Sequence, residues 1–213
     1  MDALHRITRL AVVAFVPLIV VAMVLYPGGT AWDPSAPGHD VLHNTLCDLA
    51  RSTAQSGSPN PIGSLLAKSA MTILALGLAA FWITMPLGFG DRRATAASVR
   101  AMGLSSAAAI PFVAFLSSDR FGDLHGVCVM VAAFPGILAA VVSAFALVAA
   151  RAARRVTLPA LATVATAATG FAAFLPSWRA AATGSVAIPV FERLSTVCLL
   201  VWMLSVPRRT VVV

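Results

Sequence analysis

Apolar residues fall in six blocks along the chain, separated by polar breaks. Residues 10–26, 69–90, 101–118, 126–150 and 156–178 carry no charge. Each block is close to the roughly 17–25 residues that a membrane-spanning helix needs. The sixth block, 188–206, holds Glu192 and Arg193 in its first turns. A helix starting after Arg193 would be ~20 Å long, short of a ~30 Å hydrocarbon core, so it must begin near Pro189. Glu192 then faces the bundle interior and needs a polar partner; His43, Arg120, His125 and Arg179 are the candidates. The pattern predicts an all-α integral membrane protein, a single membrane domain over 1–213. Its six helices run over about 10–26, 66–87, 101–118, 124–150, 157–176 and 188–206.

The one long break is an outer loop over 27–63. Tyr26-Pro27-Gly28-Gly29 ends the first helix, and Pro34, Pro37 and Gly38 keep the next stretch irregular. Within residues 41–54, Leu42, Leu46 and Leu49 share a face at helical spacing, opposite Asp40, Asn44, Asp48 and Arg51. A short amphipathic helix in the first outer loop is predicted there.

Composition agrees with a membrane: 59% of residues are apolar and 11% charged. The net charge of +7 raises the question of nucleic acid, and the placement of the charges answers it. Ten Lys and Arg residues fall at one end of the predicted helices (Arg6, Arg9, Arg92, Arg93, Arg100, Arg151, Arg154, Arg155, Arg208, Arg209) and five at the other. With two acids against ten bases at the first end and six against five at the second, the ends carry +8 and −1. The basic end is therefore cytoplasmic, both termini lie inside, and no nucleic-acid partner is needed. The Ala- and Arg-rich, Lys-poor composition points to a bacterial inner membrane. Residues 23–27 offer no small-x-small cleavage site, so the first helix is retained. Cys47, Cys128 and Cys198 have no metal-type spacing; a Cys47–Cys128 disulfide at the outer face is compatible with the sequence.

The candidate chemistry gathers at the outer end. His39-Asp40-Val41-Leu42-His43 resembles the H-E-x-x-H of zinc proteases, with Asp for Glu and with Pro37-Gly38 making His39 a helix-start residue. Asp40 reads equally as a cap. Residues 117–125 form a turn in which Asp119 or Asp123 can cap the following helix and His125 points into the bundle top. Glu192 reads as a base or ligand and Arg193 as an anion holder, or the two form structural ion pairs with Arg120, Arg179 or Asp48. Phe112–Arg120 and Phe171–Arg179 match at six of nine positions, a faint internal repeat.

Tyr26-Pro27-Gly28-Gly29, His43-Asn44-Thr45-Leu46-Cys47-Asp48-Leu49, Asn60, Asp123-x-His125 and residues 189–194 resemble the multi-pass bacterial membrane proteins grouped as domain of unknown function 998. Cys47 stands where that family usually has Ser. The resemblance implies the topology and no activity.

Two functions are expected from this pattern. One is a membrane-embedded, metal-assisted hydrolase or transferase acting on a lipid headgroup. Its catalytic groups would be His43, Asp48, Asp123, His125 and Glu192, its ligand-binding groups Asn44, Arg120 and Arg193, and its divalent metal, such as zinc, would sit on His43 and His125. The other is a non-catalytic transporter or sensor for a small polar or lipid ligand, or an accessory subunit of a membrane complex or oligomer.

Overall fold

The computed structural model describes residues 2–177 and 186–207; Trp178, Arg179, Arg208 and Arg209 lie outside them. The described residues are helical, with no strands beyond the isolated bridges Gly28↔Pro37 and Thr53↔Pro59. Among the described residues, six helices are long and apolar enough to cross a membrane. They are α1 (Asp2–Val24), α3 (Pro61–Thr84, continued by a 3-10 turn Met85–Phe89), α4 (Arg93–Phe115), α6 (Asp123–Ala149), α7 (Arg154–Ser177) and α8 (Ala187–Ser205). Two single turns, α2 (Leu46–Leu49) and α5 (Ser118–Phe121), belong to the polar connections.

Several helices start earlier than their apolar blocks. α1 begins eight residues before Leu10, and α4 eight before Ala101. Their extra turns carry Arg6, Arg9, Arg93 and Arg100, which a hydropathy count places outside the apolar block although the backbone remains helical. α3 begins at Pro61, where a missing N–H costs nothing. α8 begins at Ala187, as the length argument over Pro189 requires.

The helices pair as three hairpins, α1 with α3, α4 with α6 and α7 with α8. α3 joins α4, α6 joins α7, and α8 returns to α1. In an apolar solvent the hydrophobic effect does little to join helices, so close packing must. Gly103 of α4 supplies it: a Cβ there would overlap the Trp82 ring of α3. Phe81, Trp82 and Trp202 meet edge to face, with centroids 5.0, 5.1 and 5.7 Å apart, and seal the Arg-rich end of the bundle.

The predicted helix over 41–54 is corrected. Only Leu46–Leu49 is helical. Polar side chains take the backbone groups that a longer helix would use. Asp40 accepts the Leu42 N–H at 2.8 Å, and Asn44 accepts the Asp40 N–H at 2.9 Å while donating to the Gly29 carbonyl at 2.9 Å. Thr45 is extended and caps α2 in a reciprocal box with Asp48. Leu46 and Leu49 are buried, but Leu42 is exposed.

The result is a folded cap over 27–60. Gly29 N donates to Ala36 O at 2.7 Å, Ser56 N to Gly28 O at 3.0 Å and Gln55 N to the Tyr26 hydroxyl at 2.9 Å. Gly29 has φ +84°, and a Cβ there would strike the backbone of Gln55 and Ser56. Asn60 Nδ2 donates to the Leu49 and Arg51 carbonyls, each at 3.1 Å.

Candidate functional site

A chamber of about 680 Å³ runs down from this cap between α3, α4, α6, α7 and α8, with α1 outside it. Its lining on α6 extends from Asp123 to Ala140, about 25 Å of helix rise. Trp32 and Asp123 are exposed and also line it, so it reaches the surface at the cap. Trp82 and Leu199 line its deep end.

The space comes from small side chains at helical spacing. Gly126, Ala133, Gly136 and Ala140 of α6 face Ala167 and Gly170 of α7 across it. The hydroxyls at mid-depth offer little polarity, because each is spent on backbone. Ser106 Oγ donates to Ala132 O at 2.7 Å, Thr163 to Pro159 O at 2.8 Å, Ser195 to Glu192 O at 2.9 Å and Thr196 to Glu192 O at 2.8 Å. The body of the chamber is thus apolar, and its polar groups sit at the cap end.

His43, Asp48, Asp123, His125 and Glu192 all line that end. Among the described residues, none of the five hydrogen-bonds another. Asp48 is built into the cap: its carboxylate accepts from Thr45 N at 2.7 Å, Thr45 Oγ1 at 3.0 Å and Gln55 Nε2 at 2.8 Å. His43 Nδ1 meets Asp40 Oδ2 at 2.7 Å, and Trp32 lies edge-on to its ring at 5.0 Å. This bond from His43 holds the Asp40 carboxyl below the usual range.

His125 is buried, as expected, and its Nδ1 lies 2.8 Å from Leu116 O. A carbonyl only accepts, so Nδ1 carries the proton and Nε2 keeps a lone pair. The expected helix-capping role of Asp119 or Asp123 is corrected: α6 starts at Asp123 behind Gly122, with no side-chain cap. Asp119 instead accepts from Ser52 N at 2.9 Å and Thr53 N at 3.1 Å, tying α5 to the cap.

Glu192 faces the interior, but its cap partner is a backbone group that residue-type reasoning does not see. Oε2 accepts from Leu46 N at 2.8 Å, and Oε1 has the Cys47 thiol at 4.0 Å. His43, His125 and Arg120 are not its partners, and Arg179 lies outside the described residues. Among the described residues, neither Glu192 nor Arg193 makes an ion pair with Arg120 or Asp48. Arg193 donates to Asn44 O at 2.8 Å and Pro189 O at 3.0 Å, and reaches His39 Nε2 at 3.4 Å. Adjacent on α8, Glu192 and Arg193 grip the chain on either side of Thr45. Asn44 is a fully buried tether, and Arg120 is exposed and does not line the chamber.

The metal expectation is not met by this arrangement. Among the described residues no three His, Cys, Asp or Glu side chains form a metal-holding group. His39 faces Arg193 and Tyr26, while His43 pairs with Asp40, so the two do not act as an H-x-x-x-H pair. All three cysteines are free, and burial, then the Glu192 carboxylate, push the Cys47 thiol well above its ordinary range. Burial thus favours the thiol form of Cys47 over the thiolate.

Sequence reasoning named the polar end and missed the chamber. The signal was present as Gly and Ala at i, i+3 and i+7 on α6, in register with Glu192, Ser195 and Leu199 on α8. Such stripes also serve tight packing, and only the fold distinguishes the two. No known protein family, curated protein or solved structure matches the chain.

Proposed function

We propose that this is a multi-pass bacterial inner-membrane protein, with cytoplasmic termini and the cap outside, that binds one amphiphilic ligand from the outer face. The ligand's apolar tail occupies the chamber and its polar head lies under the cap. One observation carries this reading: a 680 Å³ chamber that is polar at the cap and has its deeper hydroxyls satisfied internally. Pockets of this size and lining suit a single, mostly apolar ligand oriented by a few polar groups. The ten-to-five placement of basic residues supports the orientation, which an impermeant thiol reagent on a cysteine placed at Ser56 tests. The residues that resemble the domain of unknown function 998 gather at this same end, which fits shared use of the site.

A brominated long-chain alcohol tests the ligand reading, because Trp32 and Trp82 line the chamber and bromine quenches indole fluorescence. Saturable quenching is expected in the intact protein. It should be lost in Ala167→Phe, which fills the chamber from α7. Quenching equal in the two proteins would come from the surrounding lipid alone and would reject the reading.

A second reading, headgroup hydrolysis or transfer, is favoured by His125. Its Nδ1–H is fixed on Leu116 O, which leaves Nε2 as an acceptor in a chamber that Asp123 and Glu192 also line. A base held in one tautomer by a backbone carbonyl is what proton abstraction from a bound headgroup requires.

A further inference from the structure

We infer that the chamber selects amphiphiles with a cationic amine head over those with an anionic head; this rests on the ligand-binding reading above. The chamber brings Asp48, Asp123 and Glu192 to its cap end, and no Lys or Arg lines it among the described residues. The nearby cations are turned elsewhere. Arg193 is spent on the Asn44 and Pro189 carbonyls, and Arg51 on Thr53 O at 3.1 Å and Ser118 Oγ at 3.1 Å. No basic side chain among the described residues forms an ion pair with any of the three carboxylates.

Glu192 is the group this leaves exposed to a ligand. One oxygen is held by Leu46 N–H at 2.8 Å, which fixes the carboxylate in place. The other has the Cys47 thiol at 4.0 Å, too long for a strong bond, and retains its acceptor capacity. A half-buried carboxylate with no ion-pair partner among the described residues is costly, and a ligand ammonium supplies both the charge and the donors. Trp32 at the mouth adds an aromatic surface of the kind that attracts cations. An anionic head would meet three carboxylates and, among the described residues, no lining Lys or Arg, which disfavours phosphate and fatty-acid heads. The expected phosphate or carboxylate clamp at Arg193 is thereby replaced by an amine site at Glu192.

The experiment uses brominated single-chain amphiphiles of equal tail length, an amine, an alcohol and a carboxylic acid. Tryptophan quenching is measured on the full chain in zwitterionic nanodiscs, with protein-free partitioning subtracted. The amine should half-saturate at about tenfold lower concentration than the alcohol, the worth of one partly desolvated charge pair, and the acid should be weakest. Glu192→Gln keeps an oxygen to accept Leu46 N–H and should bring the amine to the alcohol's level. Asp123→Asn, whose side chain caps nothing, should reduce the amine preference to a smaller extent. Alcohol binding with an amine no tighter, or an acid tighter than either, overturns the selectivity and leaves the chamber reading standing. Failure of all three to quench rejects the chamber reading, and the selectivity falls with it.

Discussion

The two ends of the chamber are built by opposite means. At the cap, polar side chains hold irregular backbone: Asn44, Asn60 and Asp119 each satisfy main-chain groups far along the chain or in another element, and Asp48 satisfies the N–H that caps its own turn. At the floor, Phe81, Trp82 and Trp202 close the bundle by shape, with Gly103 making room for an indole. The cap is specified by directional bonds whose loss leaves orphaned groups. The floor is specified by volume, and its loss leaves space. A ligand entering between them meets chemistry first and size afterwards, so head selection and tail-length selection should separate by mutation.

The largest effect is expected at the floor. Trp82 is fully buried and lines the deep end of the chamber. Trp82→Ala should cost ~3–5 kcal/mol, the range for removing a buried indole. It should also extend the chamber, so that longer tails bind better than in the native protein. Thermal unfolding in detergent and a tail-length series with the brominated alcohols check the two parts. A variant as stable as the native protein and with unchanged length preference would mean that the aromatic cluster is not the floor.

A smaller and more local effect is expected at the cap. Asn44→Ala removes the acceptor for Asp40 N–H, which is part-buried, and the donor to Gly29 O, which is buried. Two such losses amount to roughly 2–3 kcal/mol. The damage should concentrate in residues 27–60, read as faster proteolysis there with the helices still intact. Uniform destabilisation of the helices with no added cleavage in the cap would show that the cap is not an independent unit.

The unequal legibility of the two ends follows from the same contrast. Hydropathy blocks revealed the six helices because spanning length and apolar composition are local properties. Glu192 faces inward because helix rise and bilayer thickness alone require it. Its partner stayed hidden, because Leu46 N–H is a backbone group 146 residues away in sequence. The helix expected over 41–54 failed for a related reason. Leucine spacing cannot register that Asn44 and Asp40 bind main-chain groups that a helix would need. The chamber was written in glycines and alanines, which carry no chemistry to read. Its emptiness exists only once α6, α7 and α8 stand together.

The smallest expected effect tests how the cap responds to pH, through a residue on neither side of the ligand chemistry. His39 lies edge-on to Tyr26 at 5.6 Å and accepts from Arg193 Nη2 at 3.4 Å. An arginine can only donate, so His39 Nε2 is unprotonated in the fold. Burial, and then the neighbouring Arg193 charge, push its pKa down to about 4 from 6.5. An unfolded chain therefore takes up this proton near pH 6.5, and the folded chain does so only near pH 4. Between those values the unfolded state binds more protons, so stability must fall as the pH is lowered through the window. Above 6.5 the contribution is complete, and below 4 no further loss comes from this group. Because His39 is partly exposed, the fall should be modest, about 1–2 kcal/mol. Asp40, held below the usual carboxyl range by His43, adds its own loss only below pH 3.8, outside the window. His39→Gln should reduce the fall of the cap's melting temperature between pH 6.5 and 4 while leaving the pH dependence below 3.8 in place. An unchanged slope in that variant would assign the window to another group and remove His39 from the account of how α8 holds the cap.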